Sequence, residues 1–128
     1  MTEDRLQAWL DAYVAAWRSY DPAAIGDLFA EDGTYAYHPW DTGDKVIRGR
    51  AAIVANWLEE PDEPGSWTGE YRPLLVSGDR AVATGLTTYD NGQVYDNMWD
   101  LRFDDTGRCA EFVEWYMLRP AAPAAPTA

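Results

Sequence analysis

The sequence has a single cysteine, Cys109, and a single histidine, His38, among its 128 residues. One cysteine excludes a disulfide within the chain, and the two residues together exclude the Cys-rich and His-rich sites that hold metals such as zinc. Lys and Arg number 10 against 22 Asp and Glu, a formal net charge of −12. A field of this sign repels phosphate backbones and anionic lipid, so we expect neither nucleic acid nor a membrane as a partner.

Long apolar runs are also missing, and none approaches the length that crosses a membrane. Residues 1–5 lack the basic and then apolar pattern of a signal peptide, so we expect a soluble, cytoplasmic protein. The length suits one domain with a substantial core. Residues 120–128 are only Pro, Ala and Thr, which predicts one α+β domain over 1–119 followed by a disordered tail.

Three helices are predicted in the first half of the chain. Apolar residues recur at helical spacing between residues 3 and 19, namely Leu6, Trp9, Leu10, Tyr13, Val14 and Trp17. Asp21-Pro22 predicts the start of a short second helix, which ends at Gly33 and buries Ile25, Leu28 and Phe29. A third helix is predicted from about Arg50 to Glu59.

Five strands are predicted, one at Thr34 to Pro39 and four at roughly 67–77, 80–89, 93–104 and 108–118. The short Gly-containing connections make the last four an antiparallel meander. In the register that three-residue loops impose, the inner face collects Tyr95, Asn97, Trp99, Leu101, Phe103, Cys109, Glu111, Val113, Trp115 and Met117. Phe112 and Tyr116 then lie on the outer face, which predicts a homodimer interface there.

This pattern resembles the nuclear transport factor 2-like superfamily, and within it the SnoaL-like and ketosteroid isomerase-like domains. The resemblance covers about residues 5–118 and is carried by the segments 13–17, 21–33, 49–53 and the hairpin 99–116. It implies an α+β fold that is cone-shaped, with three N-terminal helices packed in a curved, mostly antiparallel sheet. The fold alone does not imply an activity, because it hosts enzymes, binders and transport adaptors.

The resemblance also implies site residues. The catalytic tyrosine of ketosteroid isomerases matches Tyr13, and His38 stands where their general base, an aspartate before proline, would be. Their second oxyanion donor, a protonated acid, falls on Trp99, whose indole N–H is a different kind of donor. The carboxylates of limonene epoxide hydrolases fall near Thr87 and Met117, which disfavours that activity.

The favoured function is a cofactor-free isomerase or cyclase acting next to a carbonyl of an apolar small molecule. His38 would move the proton, with Asp41 or Asp44 as candidates to orient it, and Tyr13 would stabilise the enolate. Ligand contacts are expected from Trp17, Trp57, Asn97, Trp99, Trp115 and Met117. Two alternatives stay open: a non-catalytic binding protein with the same pocket, and a dimeric interaction module whose cone is filled by its own aromatic residues.

Overall fold

A computed structural model describes residues 1–121 of the chain. The described part contains three α-helices and six strands: α1 (Glu3–Ser19), α2 (Pro22–Gly26), β1 (Phe29–Ala36), β2 (Ile47–Arg48), α3 (Arg50–Glu59), β3 (Trp67–Ser77), β4 (Arg80–Tyr89), β5 (Val94–Phe103) and β6 (Cys109–Leu118). Most of the predicted tail, residues 122–128, lies outside the described residues.

The six strands form one curved, unclosed sheet in the order β2-β1-β6-β5-β4-β3. All neighbours are antiparallel except β1 and β6, which run parallel. The three helices pack against this sheet, so the predicted α+β fold and the meander of the last four strands are confirmed.

The first helix supplies one side of the core. The Thr2 hydroxyl accepts a hydrogen bond from the Arg5 N–H at 3.2 Å and caps the helix. Its apolar stripe is buried against the sheet, and the Trp9 indole N–H donates to the Leu28 carbonyl at 3.0 Å. That bond fixes the helix over β1, so that Tyr13, one turn further along, lies above the sheet's concave face.

The second helix is shorter than predicted. It ends at Gly26; Leu28 lies in the turn that follows, and Phe29 is the first residue of β1. The reason is pairing with β6: the Cys109 N–H donates to the Leu28 carbonyl at 2.8 Å, and Phe29 is the register partner of Cys109. Gly33 lies within an irregularity of β1, where an added Cβ would approach the Cys109 carbonyl oxygen to 3.1 Å.

The register of β4 on β5 is as predicted. The Tyr89 N–H donates to the Gln93 carbonyl at 2.9 Å, and Gly92 takes the left-handed conformation of a three-residue loop. Gly85 lies opposite Asn97, as expected. The space at Gly85, however, is filled from β3, since an added Cβ would overlap the Glu70 carbonyl oxygen and the Tyr71 ring.

The predicted register of β6 is wrong beyond its first residue. Phe103 pairs with Cys109 as expected, but Arg102 then pairs with Glu111, so the strand bulges at Ala110. One extra residue reverses which side chains face inward. Phe112 is consequently fully buried, and the prediction that it lies on the outer face is wrong.

Candidate functional site

A cavity of about 570 Å³ opens between the concave face of the sheet and helices α1 and α3. This volume is in the range of small-molecule sites. All eight tyrosines of the chain line it, together with three tryptophans: Tyr13, Tyr20, Tyr35, Tyr37, Tyr71, Tyr89, Tyr95, Tyr116, Trp17, Trp57 and Trp99. The other lining residues are Asn56, Glu59, Glu60, Asp62, Thr87, Asn97 and Glu114. Among the described residues, no Lys, Arg or His lines the cavity.

Glu114 is the carboxyl group that the sheet itself contributes to this cavity. The bulge in β6 turns it inward, opposite Trp99 on β5. The Trp99 indole N–H donates to Glu114 Oε2 at 2.8 Å. The other oxygen, Oε1, has no hydrogen-bond partner within residues 1–121, and the side chain lines the cavity. One oxygen is therefore fixed, and the other is free to meet a ligand.

Burial controls the ionisation of Glu114. Desolvation raises the pKa of its carboxyl to about 7 from an ordinary value of 4.5, partly opposed by the Trp99 hydrogen bond and by the charge of His38. Part of the side chain still faces the cavity, but the surrounding protein is dense and aromatic. A carboxyl group with this pKa can accept and return a proton near neutral pH.

Two tyrosines form a pair of hydroxyl groups deeper in the same cavity. The Tyr13 and Tyr35 hydroxyl oxygens lie 2.9 Å apart, and both side chains are buried. Burial raises the pKa of each phenol well above its usual value, so both stay protonated. Only one of the two protons can be used in the bond between them. The other remains available to a ligand oxygen.

A second chain of hydrogen bonds crosses the cavity wall from β3 to β5. The Tyr71 and Thr87 hydroxyl oxygens lie 2.5 Å apart, and the Thr87 hydroxyl donates to Asn97 Oδ1 at 2.8 Å. Both Thr87 and Asn97 are buried. This chain fixes the Asn97 amide with respect to the sheet.

Acidic residues mark the mouth of the cavity at the end of α3. Glu59 and Glu60 line it, and Asp62 accepts a hydrogen bond from the Trp17 indole N–H at 3.0 Å. The indole of Trp17 stacks on Trp67 with ring centroids 3.5 Å apart. The entrance is therefore negative, which disfavours anionic ligands.

His38 lies beside the cavity and does not line it. After β1 ends at Ala36 the chain turns, and the Asp41 N–H donates to the His38 carbonyl at 3.1 Å. Both ring nitrogens have partners: Nδ1 lies 3.2 Å from Asp41 Oδ2, and Nε2 lies 3.0 Å from the Tyr116 hydroxyl. Tyr116 lines the cavity, so it stands between His38 and the interior.

The structure brings together five of the eight residues that the sequence predicted for the site. Tyr13, Trp17, Trp57, Asn97 and Trp99 line the cavity. The bulge in β6 instead places Trp115 and Met117 on the convex face of the sheet, where they are 45% and 72% exposed. Their expected place in the pocket is therefore corrected.

Sequence reasoning missed Glu114, Tyr35 and Tyr71. The missed bulge explains Glu114, because an uninterrupted register places this residue on the outer face. Glu111, which the same register turned inward, is on the outer side, with its carboxylate 3.7 Å from Arg102 Nε. The sequence carries no clear signal of the bulge, because Phe112, Glu114 and Tyr116 alternate with Val113 and Trp115, and either set suits a buried face.

Within residues 1–121, no three side chains of His, Cys, Asp or Glu lie together as metal ligands would. No helix of that part of the chain is both long and apolar enough to span a membrane.

Solved structures show the same fold in distant proteins. A nuclear transport factor 2-like protein of unknown function from Burkholderia xenovorans is 20% identical, with a TM-score of 0.71 over 95% of this chain and 90% of its own. A candidate ketosteroid isomerase from Kribbella flavida is 21% identical, with a TM-score of 0.67 over 98% and 85%. A computationally designed 17-OHP binder is 11% identical, with a TM-score of 0.60 over 90% and 98%.

Among curated proteins none matches this chain. The sequence profile of the SnoaL-like domain matches residues 10–114, which include the second half of α1, strands β1 to β5 and the part of β6 up to Glu114. The match covers most of the chain and agrees with the fold. The protein belongs to the SnoaL-like domain family.

Proposed function

We propose that this protein is an enzyme that moves a proton at a carbon next to the carbonyl group of an apolar small molecule. The observation that carries the proposal is the position of Glu114, whose carboxyl faces an aromatic cavity with one oxygen held by Trp99 and the other free. Such a group has a fixed orientation, a pKa near neutral pH and access to a ligand, and general acid–base catalysis requires all three.

Tyr13 and Tyr35 supply the partner function in this mechanism. When ionised Glu114 takes the proton, the electron pair of the broken C–H bond moves to the carbonyl oxygen and forms an enolate. The free phenol proton of the tyrosine pair donates a hydrogen bond to that oxygen. Where a C=C bond adjoins that carbon the enolate is a dienolate, and Glu114 returns its proton to the far end of it, which shifts the double bond and gives isomerisation. Where the enolate carbon instead attacks a second carbonyl of the same molecule, a C–C bond forms, the attacked carbonyl oxygen takes the proton back from Glu114, and the result is cyclisation.

This mechanism moves the base from His38, where the resemblance placed it, to Glu114. His38 is outside the cavity lining, and Asp41 and Tyr116 occupy its two ring nitrogens. When the ring is protonated, its charge lowers the pKa of the Glu114 carboxyl. We therefore assign His38 as a positioning and electrostatic residue.

Deuterium exchange tests the proposal without knowledge of the natural substrate. The probe is 2-tetralone, an apolar bicyclic ketone with acidic protons next to its carbonyl, in D2O at pD 8. We expect the protein to accelerate exchange of these protons above the buffer rate, and Glu114→Gln to remove at least about 99% of that acceleration. Glu111→Gln is the control, because Glu111 faces outward beside Arg102. Equal exchange in Glu114→Gln and wild type would rule out Glu114 as the base.

A binding protein without chemistry is the second candidate. The volume and aromatic lining of the cavity serve binding as well as catalysis, and the designed 17-OHP binder shares the fold. Saturable quenching of tryptophan fluorescence by 2-tetralone, without any accelerated exchange across a panel of apolar ketones, would favour this function.

A homodimer through the outer sheet face also remains a proposal, with other residues than first predicted. Met98 and Trp115 are register partners on the convex face, and both are more than one third exposed. Met117 extends the same apolar surface along β6. Sedimentation velocity tests this proposal. A species of twice the chain mass of 14.4 kDa that is lost in Trp115→Glu would support the dimer. A protein that is monomeric at all concentrations would contradict it.

A further inference from the structure

The hydrogen-bond chain behind Asn97 has a direction. The single hydroxyl proton of Thr87 is donated to Asn97 Oδ1, so Thr87 can only accept from Tyr71. Tyr71 is protonated, because burial raises the pKa of its phenol. Both hydrogen bonds therefore run towards the side-chain oxygen of Asn97, Oδ1. Successive hydrogen bonds that run in one direction strengthen one another.

The Asn97 amide nitrogen is left without a partner. Within residues 1–121, Nδ2 donates to no protein acceptor, although Asn97 is only 8% exposed and lines the cavity. The Nδ2 atom itself is accessible from the cavity, so water can accept its hydrogen bonds in the free protein. A ligand that fills the cavity displaces water there and leaves these donors unmet unless it brings an acceptor of its own, which points to an acceptor oxygen on the ligand.

Electrostatics supports this orientation of the amide. In a rotated amide Oδ1 would face the cavity, whose ionisable carboxyl groups are Glu59, Glu60, Asp62 and Glu114. Of these four only Glu114 lies on the sheet, and its register partner Trp99 is two residues from Asn97 on β5. The positive NH2 end of the amide is favoured on the side of a negative cavity, and the carbonyl on the side of Thr87.

We propose that the Asn97 side-chain amide binds a second acceptor oxygen of the ligand, so that the substrate is an apolar ketone that carries another carbonyl or ether oxygen. The proposal rests on the proposed function, because the first oxygen is the one that Tyr13 and Tyr35 stabilise. A lone hydrocarbon skeleton would leave the Asn97 donors unmet. A compound with two separated oxygens would satisfy both polar positions of the cavity.

Matched ligand pairs test the subsite. The probes are 2-tetralones with a methoxy group at the 5, 6, 7 or 8 position, each compared with the analogue whose ether oxygen is replaced by CH2. Calorimetry should show at least one methoxy compound binding about tenfold tighter than its analogue, the size of one net hydrogen bond. Asn97→Leu, which keeps the side-chain shape, should abolish that gain. Thr87→Val, which breaks the chain but keeps Asn97, should reduce it.

Nuclear magnetic resonance provides a readout that needs no variant. The chain has only five side-chain amides, those of Gln7, Asn56, Asn91, Gln93 and Asn97. The NH2 signals of Asn97 should move downfield with the tightest methoxy compound and not with its CH2 analogue. Because it uses the wild type, this experiment still tests whether Asn97 binds the methoxy oxygen if Asn97→Leu fails to fold.

Three results would overturn the proposal: no methoxy compound with an affinity gain, a gain that survives Asn97→Leu, or Asn97 signals that do not respond to the tightest compound. Loss of the gain in Asn56→Leu but not in Asn97→Leu would assign the subsite to the other asparagine of the lining, and also overturns it. None of these readouts involves turnover. An affinity gain at Asn97 without deuterium exchange would refute the proposed function and leave the subsite standing.

Discussion

The indole N–H of Trp99 and the carboxylate of Glu114 face each other across β5 and β6 and are joined by a hydrogen bond of 2.8 Å. Trp99 is almost fully buried, so this donor has no other use. The resemblance to ketosteroid isomerases placed an oxyanion donor at Trp99. In this chain the indole instead fixes a carboxyl group that the resemblance did not identify.

The burial of Glu114 predicts a stability that falls as the pH rises. Its folded-state pKa of about 7 is above the ordinary value of 4.5, so between these values the folded chain holds a proton that the unfolded chain has lost. Stability therefore decreases from about pH 4.5 to pH 7, by at most about 3 kcal/mol for this one group. Glu114→Gln keeps an acceptor for Trp99 without the charge.

Urea unfolding measures the free energy of unfolding of the wild type and of Glu114→Gln at each pH. At pH 8 we expect Glu114→Gln to be more stable than wild type by about 1–3 kcal/mol, and at pH 4.5 to differ little. The control Glu111→Gln should follow the wild type at both values, because Glu111 is on the outer side of the sheet. A Glu114→Gln protein that is no more stable than wild type at pH 8 would mean that Glu114 is well solvated.

Tyr13→Phe and Tyr35→Phe test the hydroxyl pair. Each change removes one of two hydroxyls 2.9 Å apart and leaves the other to meet the ligand alone. We expect each single variant to lower the rate of 2-tetralone exchange by about 10- to 100-fold, and the double variant by about 1,000-fold. The affinity for tetralin, the hydrocarbon analogue, should stay unchanged in all three. A double variant with full exchange activity would exclude the pair from the reaction.

His38→Gln separates an electrostatic role for His38 from a role as the base. Glutamine keeps hydrogen bonds within reach of Asp41 and Tyr116 but carries no charge. Since the charge of His38 lowers the pKa of Glu114, its removal should shift the pH profile of exchange to higher pH. At pH 9 the rate should remain within about tenfold of wild type, whereas loss of a true base costs about 10²- to 10⁴-fold. The larger loss would return the role of base to His38.

The fold was predictable because its signals are local. Apolar residues at helical spacing predicted α1 and α3, and Gly92 and Gly107 predicted two loops. In the structure both glycines have the left-handed conformation that such loops need. The loop at Gly92 sets the register of β4 on β5, whereas the loop at Gly107 sets only the first pair of β5 with β6. The boundary between α2 and β1 was not predictable in this way, because Phe29 is buried in either case and only its pairing with Cys109 makes it a strand residue.

The site was predictable on β5 and α1 but not on β6. Tyr13 lies on a helix face with a clear period, and Asn97 and Trp99 lie on a strand with a regular register. The position of Glu114 depends on one unpaired residue, Ala110, in a strand where both faces carry aromatic side chains. Neither composition nor alternation distinguishes the two faces there, so the bulge becomes visible only in the three-dimensional pairing.

The most direct test of the account is the titration of Glu114 itself. Carbon-13 resonances of the side-chain carboxyl groups report the ionisation of each of the eight glutamates in the chain. We predict one glutamate resonance with a midpoint near pH 7, absent in Glu114→Gln and shifted to higher pH in His38→Gln. If Glu114 titrates near 4.5, its carboxyl is solvated and the proposed proton transfer has no base.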